Sequence, residues 1–360
     1  MTALPNTKHF ASPVRRRGTI SVPTVTLAHG GGGSAMRNLI DDVFVSVFDN
    51  PALAPLEDQA RFSLAELSRL GDRLAFTTDS YVVDPLFFPG GDIGKLAICG
   101  TINDLAVGGA IPLYLTCSAI IEEGLEVDTL RALAKSMALA AADAGVSIVT
   151  GDTKVVHKGA CDKLFLNTAG IGIIREGVNL GADRCGHGDA VLVNGLVGDH
   201  GAAILNARGD MALSTEIESD CAALHRLIAE LLAAAPATRF IRDATRGGLA
   251  TVLNEAARAS GVGIEIWETA TPIREEVKAF CEILGLDPLY LANEGKIVCV
   301  VPQDEEAAAL RALRGHSLGR RAEVVGRVTR DSPGRVVMNT IFGGQRIVDM
   351  LVGDQLPRIC

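Results

Sequence analysis

The chain has 360 residues, a formal net charge of −9 and 48% apolar residues, a length that suits two domains and a composition that excludes a disordered chain. The acidic balance argues against nucleic acid or an anionic lipid surface as a partner, so a polyanionic ligand would need a local grip from a metal ion or backbone amides. No apolar run approaches the roughly 20 residues of a membrane span, and Arg15, Arg16 and Arg17 adjoin no apolar leader segment, so the expected location is the cytoplasm.

Residues 1–18 mix Pro, polar and basic side chains without periodicity and predict a flexible arm. A strand-like run, Thr24 to Ala28, leads into Gly30-Gly31-Gly32-Gly33-Ser34 and a helix over 34–48. Glycines between a strand and a helix let backbone amides approach phosphate oxygens. The same run satisfies a degenerate G-x-G-x-x-A with Glu57 and Asp58 following, so a dinucleotide site and a plain flexible hinge both stay open. No G-x-x-x-x-G-K-[ST] or G-x-S-x-G occurs, which excludes a P-loop and argues against a serine hydrolase.

Strand-like runs at Arg73 to Thr77, Pro112 to Ala119 and Val146 to Thr150 alternate with helices predicted over 92–107 and 128–144. In the last, Leu130, Leu133, Met137 and Ala141 share a face and Gly145 is a stop, so packing alone explains it. The expected organisation is an α/β (α+β) chain with an N-terminal domain over 19–180. A polar, Gly-rich passage from Gly181 to Asp189 leads to a C-terminal domain over 186–330 that opens on the strand Ala190 to Asn194, and Pro- and Gly-interrupted residues 331–360 predict a flexible tail.

Several carboxylates follow strand-like runs: Asp79, Asp152 and Asp243, with Asp104 on the helix that Asp92 caps. Ligands in α/β sheets collect beyond strand ends, and clustered carboxylates with hard oxygen donors suit Mg²⁺ carrying a triphosphate. Each aspartate alone is also explained as an N-cap or turn residue, and Glu294, in Asn293-Glu294-Gly295 before the strand Ile297 to Val301, as a turn residue. Lys154 follows Asp152. His200 and His225 have no partner at ligand spacing and read as solvent-facing or capping.

Eight cysteines stand singly and none forms a C-x-x-C pair, so Cys99, Cys117 and Cys299 in apolar runs read as reduced core residues. Cys360 is the last residue, where a C-a-a-X prenylation box would put its cysteine fourth from the end. A thiol there reads as a nucleophile or carrier on an arm, and residues 345–360 reach up to roughly 50 Å when extended.

Thr77-Thr78-Asp79-Ser80-Tyr81-Val82-Val83, Phe87 to Leu96 and Gly100-Thr101-Ile102-Asn103-Asp104-Leu105-Ala106 resemble the nucleotide-binding signature of the aminoimidazole ribonucleotide synthase (PurM-like) superfamily. Val149 to Val156, Asp243 to Leu249, Asn293 to Lys296 and the ending Pro357-Arg358-Ile359-Cys360 resemble its HypE family of hydrogenase maturation factors. The likeness covers nearly everything after residue 24. It implies a homodimer formed through N-terminal strands, ATP bound between two α/β domains, and ATP-dependent dehydration of a carbamoyl group on Cys360 to a thiocyanate. A HypF carbamoyltransferase would load the thiol, and a HypC and HypD complex would receive the cyano group as an iron ligand of [NiFe] hydrogenase.

By resemblance Asp58, Asp79, Asn103, Asp104, Asp152 and Asp243 hold Mg²⁺ and the phosphates, with Gly31, Gly32 and Gly33 closing over them. Glu294 is the base and Lys154 its electrostatic partner. Related synthases carry Asp-Ala-Ala where this chain has Asp58-Gln59-Ala60, and a selenophosphate synthetase would carry a reactive Cys in the Gly-rich region, whereas none here precedes Cys99. Rival readings are a non-catalytic ATP-binding scaffold, another ATP-dependent synthase of the superfamily, and a nicotinamide oxidoreductase.

Overall fold

The computed structural model describes residues 18–209, 216–351, 353 and 358–360; apart from Gly18, the arm expected over 1–18 lies outside them. The first half runs through α1 (Ser34–Leu39), α2 (Leu64–Leu67), β1 (Arg73–Tyr81), β2 (Phe87–Phe88), β3 (Gly91–Asp92), α3 (Ile93–Val107), β4 (Ala110–Glu122), α4 (Val127–Ala144), β5 (Ser147–Val156) and β6 (Leu164–Ile174). Its main sheet has the order β1-β6-β4-β5. Only β4 and β5 run parallel, since only they are joined by a crossover helix, α4.

α3 is apolar on nearly every side and correspondingly buried. It starts where Asp92 Oδ1 accepts hydrogen bonds from the Gly94 and Lys95 amides at 2.8 and 3.0 Å. A Cβ on Gly94 would lie 2.7 Å from the Leu133 carbonyl oxygen, so only glycine lets α4 pack this close. α4 buries Leu130, Leu133, Met137 and Ala141 and stops at Gly145, whose φ of 74° is left-handed.

The second half contains β7 (Ala190–Val193), α5 (Asp199–Ala207), α6 (His225–Ala234), β8 (Phe240–Asp243), α7 (Gly248–Ser260), β9 (Gly263–Trp267), α8 (Glu275–Leu284), β10 (Ile297–Val301), α9 (Glu306–Gly315), β11 (Glu323–Thr329), β12 (Val336–Asn339) and β13 (Gln345–Val348). The seven strands form one sheet, β13-β12-β9-β11-β7-β10-β8. α6 and α9 cover one face and α7 the other, so β7 and β10 are continuous apolar runs. Ala106 and Val107 of α3 join the apolar cluster under α6, and Ile204, Cys221 and Ala292 join that of the first half, so the halves share a packed junction.

Three expectations need correction. Thr24 to Ala28 is not a strand: Thr24 makes one bridge to Glu126, and His29 Nδ1 accepts the Thr26 amide at 2.9 Å, closing a short 3-10 turn at Leu27–Gly30. The helix over 34–48 is α1 followed by a π-helical stretch, Ile40–Val45. The tail does not begin at 331: Val336, Met338 and Val348 are buried in β12 and β13, and the Gly343-Gly344 turn joins these strands into a hairpin.

Candidate active site

β1, α3, β8 and the loop before β10 converge at the junction between the halves, and each brings a carboxylate. Thr77 Oγ1 on β1 donates to Asp104 Oδ2 on α3 at 2.9 Å. Burial raises the Asp104 carboxyl, and Asp79 adds to this against the bond from Thr77. Asp243 ends β8 with 9% exposure; burial, then Asp104, pushes it from 3.8 to about 7. Glu294 is 4% exposed, and burial, then Asp243, Asp220 and Asp79, raises it well above the usual carboxylate range. These acids therefore sense one another across the junction. A cavity of 650 Å³ opens beside them, lined by Thr77, Asp104, Arg242 and Asp243.

Glu294 is held by main-chain anchoring on both sides. The Asp220 carboxylate accepts the Glu294 and Gly295 amides at 3.0 and 3.1 Å and pairs with Lys296 Nζ at 2.9 Å, the two side chains being 5% and 12% exposed. The preceding Asn293 accepts the Gly198 amide at 2.7 Å and donates to the Ala244 and Leu291 carbonyls. Asn103 spends its amide on the main chain: Nδ2 donates to the Ala222 and Glu294 carbonyls, and Oδ1 accepts from Leu224 N–H at 2.7 Å. In this geometry Asn103 braces the Glu294 loop.

The chain terminus is seated at the same junction. Val82 N–H donates to a main-chain carboxylate oxygen of Cys360 at 3.0 Å and Arg358 Nε to the Val82 carbonyl at 2.9 Å. Arg208 Nη2 reaches the Arg358 carbonyl at 2.7 Å, and Arg358 pairs with Asp162 and lies 5.9 Å from the centre of the Phe165 ring. Ile359 is 3% exposed, and Cys360 packs against the apolar cluster containing Cys221 and Ala292, which flank the Asp220 and Glu294 segments.

The remaining predicted residues lie elsewhere in the chain. Asp152 and Lys154 are on β5, the opposite edge of the sheet from β1, paired at 3.2 Å with both side chains exposed. Asp152 shares a 460 Å³ cavity with Asp58, Glu57 and Arg37. Gly30 packs on Val155 of β5, so close that a Cβ would meet it at 3.0 Å, while Gly31, Gly32 and Gly33 are exposed. The expected single group of Asp58, Asp79, Asp104, Asp152 and Asp243 is thus split between two sheet edges. Among the described residues no three His, Cys, Asp or Glu side chains are placed to hold a metal ion.

His200 corrects another expectation, being fully buried and bonded on both nitrogens rather than solvent-facing or a simple cap. Asp220 and Arg208, like His200, carried no sequence signal, because every partner that gives them a role is distant along the chain.

The descriptions "AIR synthase related protein, N-terminal domain" and "AIR synthase related protein, C-terminal domain" match residues 57–174 and 186–339. The carbamoyl dehydratase HypE of Rhodobacter capsulatus is 61% identical over 93% of this chain and 98% of its own length. The chain belongs to the HypE family. A crystal structure of hydrogenase maturation protein HypE in complex with ATP superposes with a TM-score of 0.88 at 48% identity, covering 93% of this chain and 99% of that one. The HypE chain of a HypE-HypF complex gives 0.75 at 48% identity, covering 87% and 99%. The mixed α/β, PurM-like architecture implied by the sequence motifs is therefore that of the HypE family.

Proposed function

We propose that this chain is an ATP-dependent carbamoyl dehydratase that converts a thiocarboxamide on Cys360 to a thiocyanate. The observation that carries the reading is the seated terminus: the last residue of the chain is hydrogen-bonded to Val82 and packs on the apolar cluster to which Cys221 and Ala292 belong. In the balanced step, the amide oxygen attacks the γ-phosphorus of ATP and ADP departs. The two N–H protons are then lost as the C–O bond breaks, leaving a C≡N group on sulfur and inorganic phosphate in solution. Phosphorylation makes a poor leaving group a good one, and the chain contributes positioning and charge neutralisation.

Glu294 suits the proton-accepting role, since burial among like charges raises its proton affinity while its loop cannot swing away. Asp79, Asp104 and Asp243 are not grouped closely enough among the described residues to hold a metal ion by themselves, but their carboxylates are hard donors, and the burial and repulsion that raise Asp104 and Asp243 would be offset by a dication. They would hold Mg²⁺ with Asp58 and Asp152, and bound Mg²⁺ supplies neutralisation of the triphosphate. Gly31, Gly32 and Gly33 would close over the phosphates, and Lys154 would offset developing negative charge.

A homodimer supports this division of labour. β1 is an open sheet edge on which Leu74 and Phe76 are 60% and 68% exposed, and the β1 edge of one protomer meeting the β5 edge of its partner would bring β5 groups of one toward β1 groups of the other. The ATP complex and the HypF complex of relatives support ATP as substrate and a HypF-type carbamoyltransferase as the loading partner. A HypC and HypD complex in the cytoplasm would accept the cyano group. Among the described residues no helix is long and apolar enough to cross a membrane.

The reading is tested by phosphate release from carbamoyl-loaded protein in a single turnover with Mg-ATP. One phosphate per loaded thiol is expected from wild type and none from Cys360→Ala. A binding scaffold would release none from either.

A further inference from the structure

Burying an imidazole costs free energy unless both ring nitrogens find partners. His200, on the first turn of α5, is 0% exposed. Its Nε2 lies 2.8 Å from the Ile359 carbonyl oxygen and its Nδ1 2.8 Å from Ser219 Oγ. A carbonyl can only accept, so Nε2 carries the hydrogen. In the neutral ring Nδ1 then accepts, and the Ser219 hydroxyl donates to it. Burial, which holds the imidazole below its ordinary value, agrees with that neutral form. The Phe88 ring meets the imidazole edge-on at 5.6 Å and restricts its plane.

The Ser219 end of this chain of bonds leads to the proton acceptor. Ser219 Oγ also accepts the Cys221 amide at 3.1 Å, and Asp220 between them holds the Glu294 and Gly295 amides. Ser219 N–H is itself tied to the Pro89 carbonyl at 2.8 Å. One three-residue segment, 219–221, is therefore bonded through His200 to the penultimate residue and through Asp220 to the Glu294 loop.

We propose that His200 is a positioning residue that seats Ile359, and with it the Cys360 thiol, against the Glu294 loop for dehydration. The inference rests on the proposed reading that Cys360 carries the reacting group. His200 acts through the main chain, holding the Ile359 carbonyl one peptide from the residue that bears the sulfur. Val82 and Arg208 grip the Cys360 carboxylate and the Arg358 carbonyl on either side, and the His200 bond connects the terminus to the segment that supports Glu294.

The test uses the full chain with His200→Phe, His200→Gln and His200→Asn. Phe keeps the ring and removes both bonds, Gln places an N–H where Nε2 stands, and Asn is too short to reach Ile359. The first measurement is the rate of Cys360 alkylation by iodoacetamide, followed on the terminal peptide. The second is single-turnover dehydration of carbamoyl-loaded protein against ATP concentration. Loss of one such hydrogen bond predicts roughly 5- to 10-fold faster alkylation in Phe and Asn, a comparable fall in the dehydration rate with an unchanged KM for ATP, and recovery of both in Gln. Alkylation and dehydration at wild-type rates in Asn and Phe would overturn the proposal. If Phe fails to fold, the contrast between Gln and Asn decides alone. Alkylation needs no turnover, so a wild type that seats its tail through His200 yet dehydrates nothing would sink the functional reading and leave only the seating of the terminus by His200 standing.

Discussion

Replacing Asp220 by Ala is expected to destabilise the protein by about 3–5 kcal/mol. The substitution removes the counter-ion of Lys296, itself only 12% exposed, together with the acceptor of two loop amides. Each buried N–H left unpaired costs about 1–3 kcal/mol, so the amides alone supply much of this loss. The stranded ammonium, left with the Gly295 carbonyl at 3.3 Å, supplies the rest. At about 2–4 °C per kcal/mol the thermal midpoint falls by on the order of 10 °C. The double variant Asp220→Ala with Lys296→Met should recover roughly half, since no charge is then stranded. Acid gives an independent check. Burial, the largest single influence, would raise Asp220, but Lys296, the Glu294 amide and His200 together outweigh it and hold the carboxyl below 3.8. A lowered folded value contributes stability that is full above 3.8 and lost as pH falls through the folded value, so Asp220→Ala should flatten the acid limb of midpoint against pH. Urea and thermal unfolding followed by circular dichroism measure all three; an unchanged midpoint for Asp220→Ala would refute the reasoning.

Glu294→Gln should lower the single-turnover dehydration rate by about 10²–10⁴-fold while ATP binding by isothermal calorimetry stays within a few-fold; an active Gln variant would assign the proton to another group. In EDTA without nucleotide, the raised Asp243 value makes stability fall as pH rises toward and through about 7. Asp243→Asn should remove part of that alkaline loss, about 2–3 kcal/mol between pH 5 and 8 from the proton linkage, as read by thermal unfolding at the two pH values. Phe76→Asp, on the exposed face of β1, should shift the mass measured by light scattering from dimer toward monomer without changing the circular dichroism spectrum.

The sequence was most readable where periodicity and packing agree. α4 ends at Gly145 as its apolar spacing predicts, and β10 spans the apolar run Ile297 to Val301. Asp79, Asp104, Asp243 and Glu294 could be nominated from strand ends and family motifs, but only the folded chain shows them sharing one buried field. Thr24 to Ala28 misled because a local bond from the Thr26 amide to His29 outweighs β-propensity. Residues 336–348 misled because Gly and Pro suggested a jointed tail, whereas β12 pairs with β9, far upstream. His200 was illegible for the same reason: its decisive partner, Ile359, is 159 residues away, and no spacing rule joins them.

The central claim is that the sulfur-bound amide at the chain end is dehydrated at the junction where the terminus is seated. Intact-mass spectrometry of the carbamoyl-loaded protein, before and after Mg-ATP, tests it most directly. The account predicts a mass lower by one water in wild type, with the modification mapped to Cys360, and no loss in Glu294→Gln. A wild-type mass unchanged by Mg-ATP would contradict it.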